Sequence, residues 1–155
     1  MLSIKRILCP TDFSEPSRRA IDVAGDLALH LGAEVCVLHV VSAGQVPASA
    51  FELMYPVPRD VLLKDAEEQL RPIVRDLVTR GVRATPLVAN GDAGHEIVRA
   101  AREQGFDLIV VAAQGQGMVE HLLVGSVAER VVRLAGCPVL SIPTRRDRHA
   151  PAPTL

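Results

Sequence analysis

The sequence predicts a single α/β domain in which five parallel strands form a doubly wound sheet with helices on both faces. Three observations lead to this prediction. Short apolar segments alternate with longer segments in which apolar residues recur at helical spacing. The segment Leu108–Ala113 is apolar throughout, as expected of a strand covered on both faces of a parallel sheet. Right-handed crossovers, and a proline that places the third strand at a sheet edge, favour the strand order 3-2-1-4-5.

Composition limits the kind of protein that this chain can be. Its 155 residues suffice for one domain, and the core must be aliphatic because hydrophobic residues make up 48% and aromatic residues only 3%. The net charge of -1 argues against binding to nucleic acid or an anionic membrane, and no segment approaches the roughly 20 apolar residues that span a bilayer. Cys9, Cys36 and Cys137 form no CxxC pair and indicate buried, reduced thiols. We therefore expect a cytoplasmic protein.

The first part of the chain supplies a strand, a helix, a second strand and a long loop. Ile4–Cys9 is a short apolar strand. Ser14 can cap the following helix, which Gly32 ends. Val35–Val41 is a second buried strand, in which His39 is expected at the core or the edge of a pocket. Residues 42–58 form the longest irregular segment, whose length is typical of a lid or a mobile loop.

A proline marks each of the next two elements. Apolar residues at helical spacing run from Leu62 to Leu77, and Pro72 within them predicts a kink or break near Leu70. The third strand covers Val82–Ala89, and Pro86 within it cannot donate a hydrogen bond to a neighbouring strand. We therefore expect this strand at one edge of the sheet.

The last part of the chain repeats the alternation of helix and strand. Residues 91–94 turn into a short helix that Gly105 ends, and the strand Leu108–Ala113 follows. Gly125 and Ser126 then open another helix, where Ser126 and Glu129 have the spacing of a capping box. Its apolar stripe consists of Val127, Val131, Val132 and Leu134, and a final strand covers Val139–Ile142.

The predicted strand order places a ligand crevice between strands 1 and 4, where the direction of winding reverses. Asp12 follows strand 1 and Gly115 follows strand 4, so we expect these residues to face each other. Gly115, Gly117 and the helix start at Ser126 can present backbone N–H groups to an anion. Ordinary roles in a turn and a helix cap explain these glycines and Ser126 equally well, because the sequence fingerprints of dinucleotide-binding sites and of phosphate loops are both absent.

At both ends the chain resembles the universal stress protein family. The opening ILCPTDFSEPSRRAIDVAGDLA is similar to that family's first strand and helix, and GSVAERVVRLAGCPVLSIP to its last helix and strand. Val35–Val41 resembles its second strand. The resemblance covers residues 3–143, so we expect a domain over residues 1–143 and a flexible tail over residues 144–155.

The loop after the fourth strand is similar to the loop pattern of the family's ATP-binding branch. That pattern is Gly-x-x-Gly, nine residues, and then Gly-Ser or Gly-Thr; here Gly115, nine residues, Gly125 and Ser126 match it. Ala112 stands at the first glycine, and Gln114 at a position that is often histidine in the family. A methyl group or a backbone strain at Ala112 is expected to weaken nucleotide binding by roughly tenfold.

The resemblance implies an adenine nucleotide, ATP or AMP with or without Mg²⁺, in the crevice between strands 1 and 4. It implies that Asp12 binds the ribose or the adenine edge, that Val40 lines the adenine pocket, and that loop amides hold the phosphates. No catalytic residue and no metal ligand is predicted. The expected nucleotide-binding residues are Pro10, Thr11, Asp12, Val40, Ala112, Gln114, Gly115, Gly117, Gly125, Ser126 and Val127.

Three functions of different classes remain open. The first is a regulatory protein of the stress response, a homodimeric switch that pairs the exposed edge strand Val139–Ile142 with its copy. The second is a slow ATPase that uses Glu120 and His121; efficient turnover is not indicated, because the sequence from Gln114 to Ser126 contains no Lys or Arg. The third is a nucleotide-free interaction protein of the same fold.

Overall fold

The computed structural model of this chain describes residues 1–42, 56–115 and 124–144. The predicted lid over residues 42–58 and the predicted tail over residues 144–155 lie almost wholly outside the described residues. Strands and helices alternate along the described chain as β1 (Arg6–Pro10), α1 (Glu15–Leu31), β2 (Glu34–Val41), α2 (Arg59–Thr79), β3 (Arg83–Asn90), α3 (Ala93–Glu103), β4 (Leu108–Ala112), α4 (Ser126–Leu134) and β5 (Val139–Ile142).

The five strands form one parallel sheet in the order β3-β2-β1-β4-β5, which confirms the predicted fold class and strand order. β1 is central: Ile7 is in register with Val35 of β2 on one side and with Leu108 of β4 on the other. β3 is an edge strand, and Pro86 lies in it opposite Val37, as predicted. The predicted strand boundaries are within two residues of the observed ones.

The alternation of side chains along the central strands divides the core into two layers. Ile7 and Cys9 point to the cluster formed with α1 and α2, whereas Leu8 between them points to the cluster formed with α3 and α4. Both faces of the sheet are thus covered by helices, which explains why the central strands are apolar without interruption.

The capping signals of α1 are confirmed. The Ser14 side chain accepts a hydrogen bond from the backbone N–H of Ser17, and Pro16 lies in the first turn. Gly32 ends the helix in the left-handed conformation, with φ of 64°. The caps place the start of α1 directly after β1, beside the predicted crevice.

Of the kink or break predicted near Leu70, the break is absent, because α2 continues from Arg59 to Thr79 through Pro72. Ala66 and Leu70 are buried before the proline and Leu77 is buried after it. Both halves therefore pack on the same face of the sheet, and this packing offsets the hydrogen bond that the proline removes.

The predicted capping box of the last helix is also wrong. Gly125 is the N-cap of α4, Ser126 is already its first helical residue, and no side chain caps this end. A hydroxyl at the first helical position cannot replace that of an N-cap residue, because it lies one residue too far along the helix. Glu129 instead pairs with Arg133 over 2.6 Å.

The predicted apolar stripe of α4 is only partly buried. Val131 is completely buried, whereas the exposed fractions of Val127, Val132 and Leu134 are 38%, 55% and 47%. The helix packs on the sheet through Ala128 and Val131, so Val132 and Leu134 remain on the outer surface and Val127 is partly exposed.

All three cysteines are free thiols, and Cys9 and Cys36 are buried as predicted, whereas Cys137 is half-buried. Burial raises the pKa of the Cys9 and Cys36 thiols, so both are held in the neutral form. None of the helices in the described ranges is long and apolar enough to cross a membrane.

Replacement of a buried strand residue tests this layered core. Ile109 of β4 is completely buried, so Ile109→Ala should lower the free energy of unfolding by about 2–5 kcal/mol through lost burial and a residual cavity. Val78 on α2 is 53% exposed and provides the control. Val78→Ala should change the free energy of unfolding by less than about 0.5 kcal/mol. Urea denaturation measures both, and equal losses in the two variants would contradict the assignment of β4 to the core.

Candidate functional site

A cavity of about 260 Å³ opens at the carboxyl ends of β1 and β4, where the winding of the sheet reverses. Gly117 lies outside the described residues. The other residues that were predicted to bind nucleotide all line this cavity: Pro10, Thr11, Asp12, Val40, Ala112, Gln114, Gly115, Gly125, Ser126 and Val127.

Three further residues of the cavity wall were not predicted from the sequence. Leu38 lies two residues before Val40 on β2, and Ala93 and Ile97 lie four residues apart on α3. The strand period of two and the helical spacing of four are signals that place each set on one face. Only the packing of α3 across the sheet shows that these faces meet at the cavity.

Two consecutive side-chain turns fix the loop after β1. The Asp12 Oδ1 atom accepts hydrogen bonds from the backbone N–H of Ser14, at 3.0 Å, and from the Ser14 hydroxyl. One residue earlier, Thr11 Oγ1 accepts from the backbone N–H of Phe13 at 3.0 Å and lies 3.0 Å from the Ser17 hydroxyl. Side chains that bond their own backbone in this way hold a turn in one conformation. The Asp12 carboxylate is therefore oriented by the chain itself.

His39 contributes to the same loop and, as predicted, lies at the edge of the pocket. Its Nδ1 atom lies 2.8 Å from the backbone oxygen of Thr11, and its ring centroid lies 4.4 Å from that of Phe13. A carbonyl oxygen only accepts hydrogen bonds, so Nδ1 carries the proton in this contact. The ring thus ties the end of β2 to the loop that carries Asp12.

Asp12 and Gly115 face each other across the cavity, as predicted. A Cβ atom on Gly115 would lie 2.6 Å from Oδ2 of Asp12, much closer than real Cβ contacts allow. The carboxylate therefore occupies the space in which any other residue would place its side chain. The glycine is required here by close approach of the two loops.

The far side of the cavity is the start of α4. The backbone N–H of Gly125 donates to the Ala113 oxygen over 2.6 Å, which brings the end of the loop back to the end of β4. The first N–H groups of α4 have no acceptor within the helix, and Ser126 and Val127 line the cavity there. Such N–H groups and the helix dipole together stabilise an anion.

Ala112 is the last residue of β4, paired with Ile142. Within the described ranges, Phe13 is the non-glycine residue with positive φ, and Ala112 has none of that strain. Two causes were expected to weaken nucleotide binding at Ala112, backbone strain and the added methyl group. Only the methyl group in the cavity wall remains.

A contact between α3 and α4 supports the side wall. The Asp92 carboxylate caps α3 by accepting from the backbone N–H of His95, and Arg130 Nη1 donates to the same carboxylate over 2.8 Å. The His95 N–H and the Arg130 guanidinium hold the pKa of Asp92 below its usual range. A Cβ on Gly94 would lie 2.6 Å from Cδ of Arg130, so the glycine admits the arginine side chain. The ion pair between Asp92 and Arg130 joins α3 to α4 close to the cavity residues Ala93 and Val127.

The cavity wall is poor in positive charge. Among the described residues that line it, Asp12 is the acidic residue, and neither Lys nor Arg occurs. The described residues also contain no cluster of three or more His, Cys, Asp or Glu side chains suited to a metal ion.

A double-mutant cycle tests the contact between the two loops. Gly115→Ala should lower the free energy of unfolding by about 1–3 kcal/mol, because its methyl group meets the Asp12 carboxylate. In an Asp12→Ala background much of this loss should vanish, giving a coupling energy of about 0.5–3 kcal/mol. Denaturant unfolding of the four proteins measures it.

Gly136 is the matched control for this cycle, since a Cβ there meets no atom within 4 Å. Gly136→Ala should show no coupling to Asp12→Ala. Additive losses for Gly115→Ala and Asp12→Ala would mean that the two loops do not touch in solution.

Comparison with known proteins places the chain in a family. The profile of the Universal stress protein family matches residues 3–143. "Universal stress protein YxiE" of Bacillus subtilis is 33% identical over 144 residues, which span 88% of this chain and 97% of that protein.

Solved structures share the fold. The structure of the protein MJ0577 of Methanocaldococcus jannaschii superposes with a TM-score of 0.81 at 27% identity, over 94% of this chain and 99% of that one. A universal stress protein from Archaeoglobus fulgidus, solved in complex with dAMP, has a TM-score of 0.64 at 21% identity, over 91% of this chain and 98% of that one. The predicted resemblance is confirmed, and the chain belongs to the universal stress protein family.

Proposed function

We propose that this protein binds an adenine nucleotide, ATP or AMP, in the cavity between the ends of β1 and β4. The observation that carries the proposal is the convergence of two distant segments on one slot, Asp12 from the first and Gly115, Gly125 and Ser126 from the second. Ligands of doubly wound sheets bind at this position. The Archaeoglobus relative holds dAMP, so the same fold is capable of forming a site for an adenine nucleotide.

The cavity offers a separate surface to each part of the nucleotide. Val40, Leu38 and Ile97 are buried apolar side chains against which a purine ring packs. The Asp12 carboxylate accepts hydrogen bonds from ribose hydroxyls or the adenine amino group. The N–H groups at the start of α4, near Ser126, hold phosphate oxygens. The proposed set of nucleotide-binding residues is completed by Pro10, Thr11, Ala112, Gln114, Gly117 and Val127.

In this proposal the protein is a regulator whose state depends on the bound nucleotide. Its proposed location is the cytoplasm. Phosphoryl transfer needs positive charge at the transferred phosphate, and the described cavity wall contains neither Lys nor Arg. Glu120 and His121, the acid–base groups considered for a slow ATPase, lie outside the described residues. Mg²⁺, where it accompanies ATP, is brought in with the phosphates.

Calorimetric titration tests the binding. Mg-ATP and AMP should bind saturably, GTP more weakly, and Asp12→Ala should weaken adenylate binding by about tenfold or more, the equivalent of a lost charge-assisted hydrogen bond. Asp65→Ala removes a carboxylate from the exposed face of α2 and should leave the affinity unchanged. Absence of binding heat at millimolar ligand would favour a nucleotide-free interaction protein, and rapid phosphate release would favour an ATPase.

We also propose that the switch is a homodimer in which β5 pairs with the β5 of a second copy. β5 is the edge strand opposite β3, and Leu140 within it is 38% exposed. An edge strand presents unpaired backbone N–H and C=O groups, and α4, which packs against β5, carries the exposed apolar residues Val132 and Leu134. An isologous contact of two such edges forms a closed dimer.

Light scattering at micromolar concentration should report a dimer. Leu140→Glu should shift the population toward monomer, because a charge would be buried in the contact. Val61→Glu, a change of the same kind on the exposed face of α2, should not alter the mass. A stable monomer in the unmodified protein would rule out this pairing.

A further inference from the structure

We propose that the amino ends of β1, β2 and β3 form a docking surface for an acidic segment of a partner protein. A cavity of about 480 Å³ opens there, and residues 3–6, the turn after α1 and the first residue of β3 line it. Because the strands are parallel, this cavity lies at the end of the sheet opposite to the proposed nucleotide site. The nucleotide site uses none of its residues.

The wall of this cavity carries an excess of positive charge. Arg6, Glu34 and Arg83 are the first residues of three adjacent strands and lie side by side in register, with Lys5 next to them in the wall. Arg6 Nε donates to Glu34 over 2.7 Å, so these two charges neutralise each other. Within the described ranges, neither Lys5 nor Arg83 forms an ion pair. Since the whole chain has a net charge of -1, their two positive charges are a local feature and not part of a generally basic surface.

Hydrogen bonds hold both arginines in position. Arg83 Nη2 donates to the backbone oxygen of Gly32 over 2.9 Å, which joins β3 to the turn after α1 and offsets the partial negative charge at that helix end. The Arg6 guanidinium donates to the backbone oxygen of Gln104, and its central carbon lies 4.6 Å from the centroid of the Phe106 ring. Side chains that are already ordered lose less conformational entropy when a partner binds.

Arg83 and Lys5 are the side chains that would contact the acidic segment. Both residues are exposed, so carboxylates reach them without entering the core. A guanidinium binds a carboxylate through two parallel hydrogen bonds, and the bond from Nη2 of Arg83 to Gly32 leaves its other N–H groups for this purpose. The Lys5 ammonium is a compact charge that attracts a second carboxylate without demanding one geometry. The pair therefore suits a segment that carries more than one acidic residue.

The rest of the wall favours a protein segment over a small molecule or a nucleic acid. Ile4 and Leu31 line the cavity and Leu31 is 48% exposed, so an apolar side chain of the partner gains contact beside the positive charges. Sites for small molecules are mainly apolar, whereas most residues of this wall are polar or charged. Nucleic-acid sites combine many phosphate contacts with aromatic stacking, and no aromatic residue is among the described residues that line this cavity.

Fluorescence anisotropy with a labelled peptide and the full chain tests the docking surface. The peptide consists of glutamates around a single leucine, and its control carries glutamine in place of every glutamate. The glutamate peptide should bind saturably and about tenfold or more tightly than the glutamine peptide. Raising NaCl from about 50 mM to about 300 mM should weaken its binding severalfold, since screening reduces the attraction. Equal affinities of the two peptides, or no binding of either, would overturn the inference.

Three variants locate the binding. Arg83→Gln should weaken binding of the glutamate peptide by about tenfold, the equivalent of a lost charge-assisted hydrogen bond, and Lys5→Gln should weaken it severalfold. Lys5 is exposed and forms no ion pair within the described ranges, so Lys5→Gln tests the surface even if Arg83→Gln unfolds, with thermal melting as the check. Arg71→Gln, the same change on the exposed face of α2, should leave the affinity unchanged. Equal losses in all three variants would mean attraction by overall charge and would contradict this location.

Competition distinguishes this surface from the nucleotide cavity and the partner protein from other anions. Saturating AMP should leave the peptide bound, and displacement by AMP would place the peptide in the nucleotide cavity and overturn the inference. Citrate that binds as tightly as the peptide, or a single-stranded oligonucleotide that binds more tightly, would overturn the assignment to a protein segment. Failure of AMP and ATP to bind, with peptide binding intact, would overturn the proposed nucleotide-binding function and support this surface alone.

Discussion

The approach of Asp12 to Gly115 is the constraint on which the site depends. β1 and β4 are neighbouring parallel strands, so the loops at their carboxyl ends emerge side by side. The carboxylate fills the volume that a side chain on Gly115 would occupy. Ser14 donates to the carboxylate, and Gly125 donates to Ala113 at the end of β4, so hydrogen bonds hold both segments locally. The close approach of the two loops at this point therefore requires a residue without a Cβ atom.

A second glycine permits a close contact on the side wall of the cavity, between α3 and α4. Gly94 lacks the Cβ that would collide with Arg130, and this lets the guanidinium reach the N-cap Asp92. Exposed ion pairs contribute little to the free energy of unfolding, so the importance of this pair lies in its position. It holds the starts of α3 and α4 together at the edge of the cavity. Two glycines thus permit the two close contacts that shape the site.

Two local signals in the sequence did not predict the helices that the structure shows. Pro72 predicts a kink or a break, and the break does not occur, since buried residues on both sides of the proline keep α2 continuous on the sheet. Ser126 and Glu129 have the spacing of a capping box, yet the helix begins at the serine, and Gly125 takes the cap position. At Pro72 the residues that pack against the sheet decide the course of the helix, and helix propensity is the weaker influence. The Ser126 hydroxyl makes no capping hydrogen bond, and the residue lines the cavity.

The sequence by itself determined the class of fold, the strand order and the segments that meet at the cavity. Uninterrupted apolar strands, Pro86 at an edge and the handedness of crossovers suffice for the topology, and topology alone brings Asp12 toward Gly115. The assignment of the nucleotide-binding residues came from the family resemblance, since capping and turn formation explain the same residues equally well. Only the tertiary structure decided that Leu38, Ala93 and Ile97 complete the wall and that Arg130 is bound to Asp92. The reason is physical: periodicity reports which face of an element is apolar, whereas the angle and depth at which helices pack on the sheet depend on side chains distant in the chain.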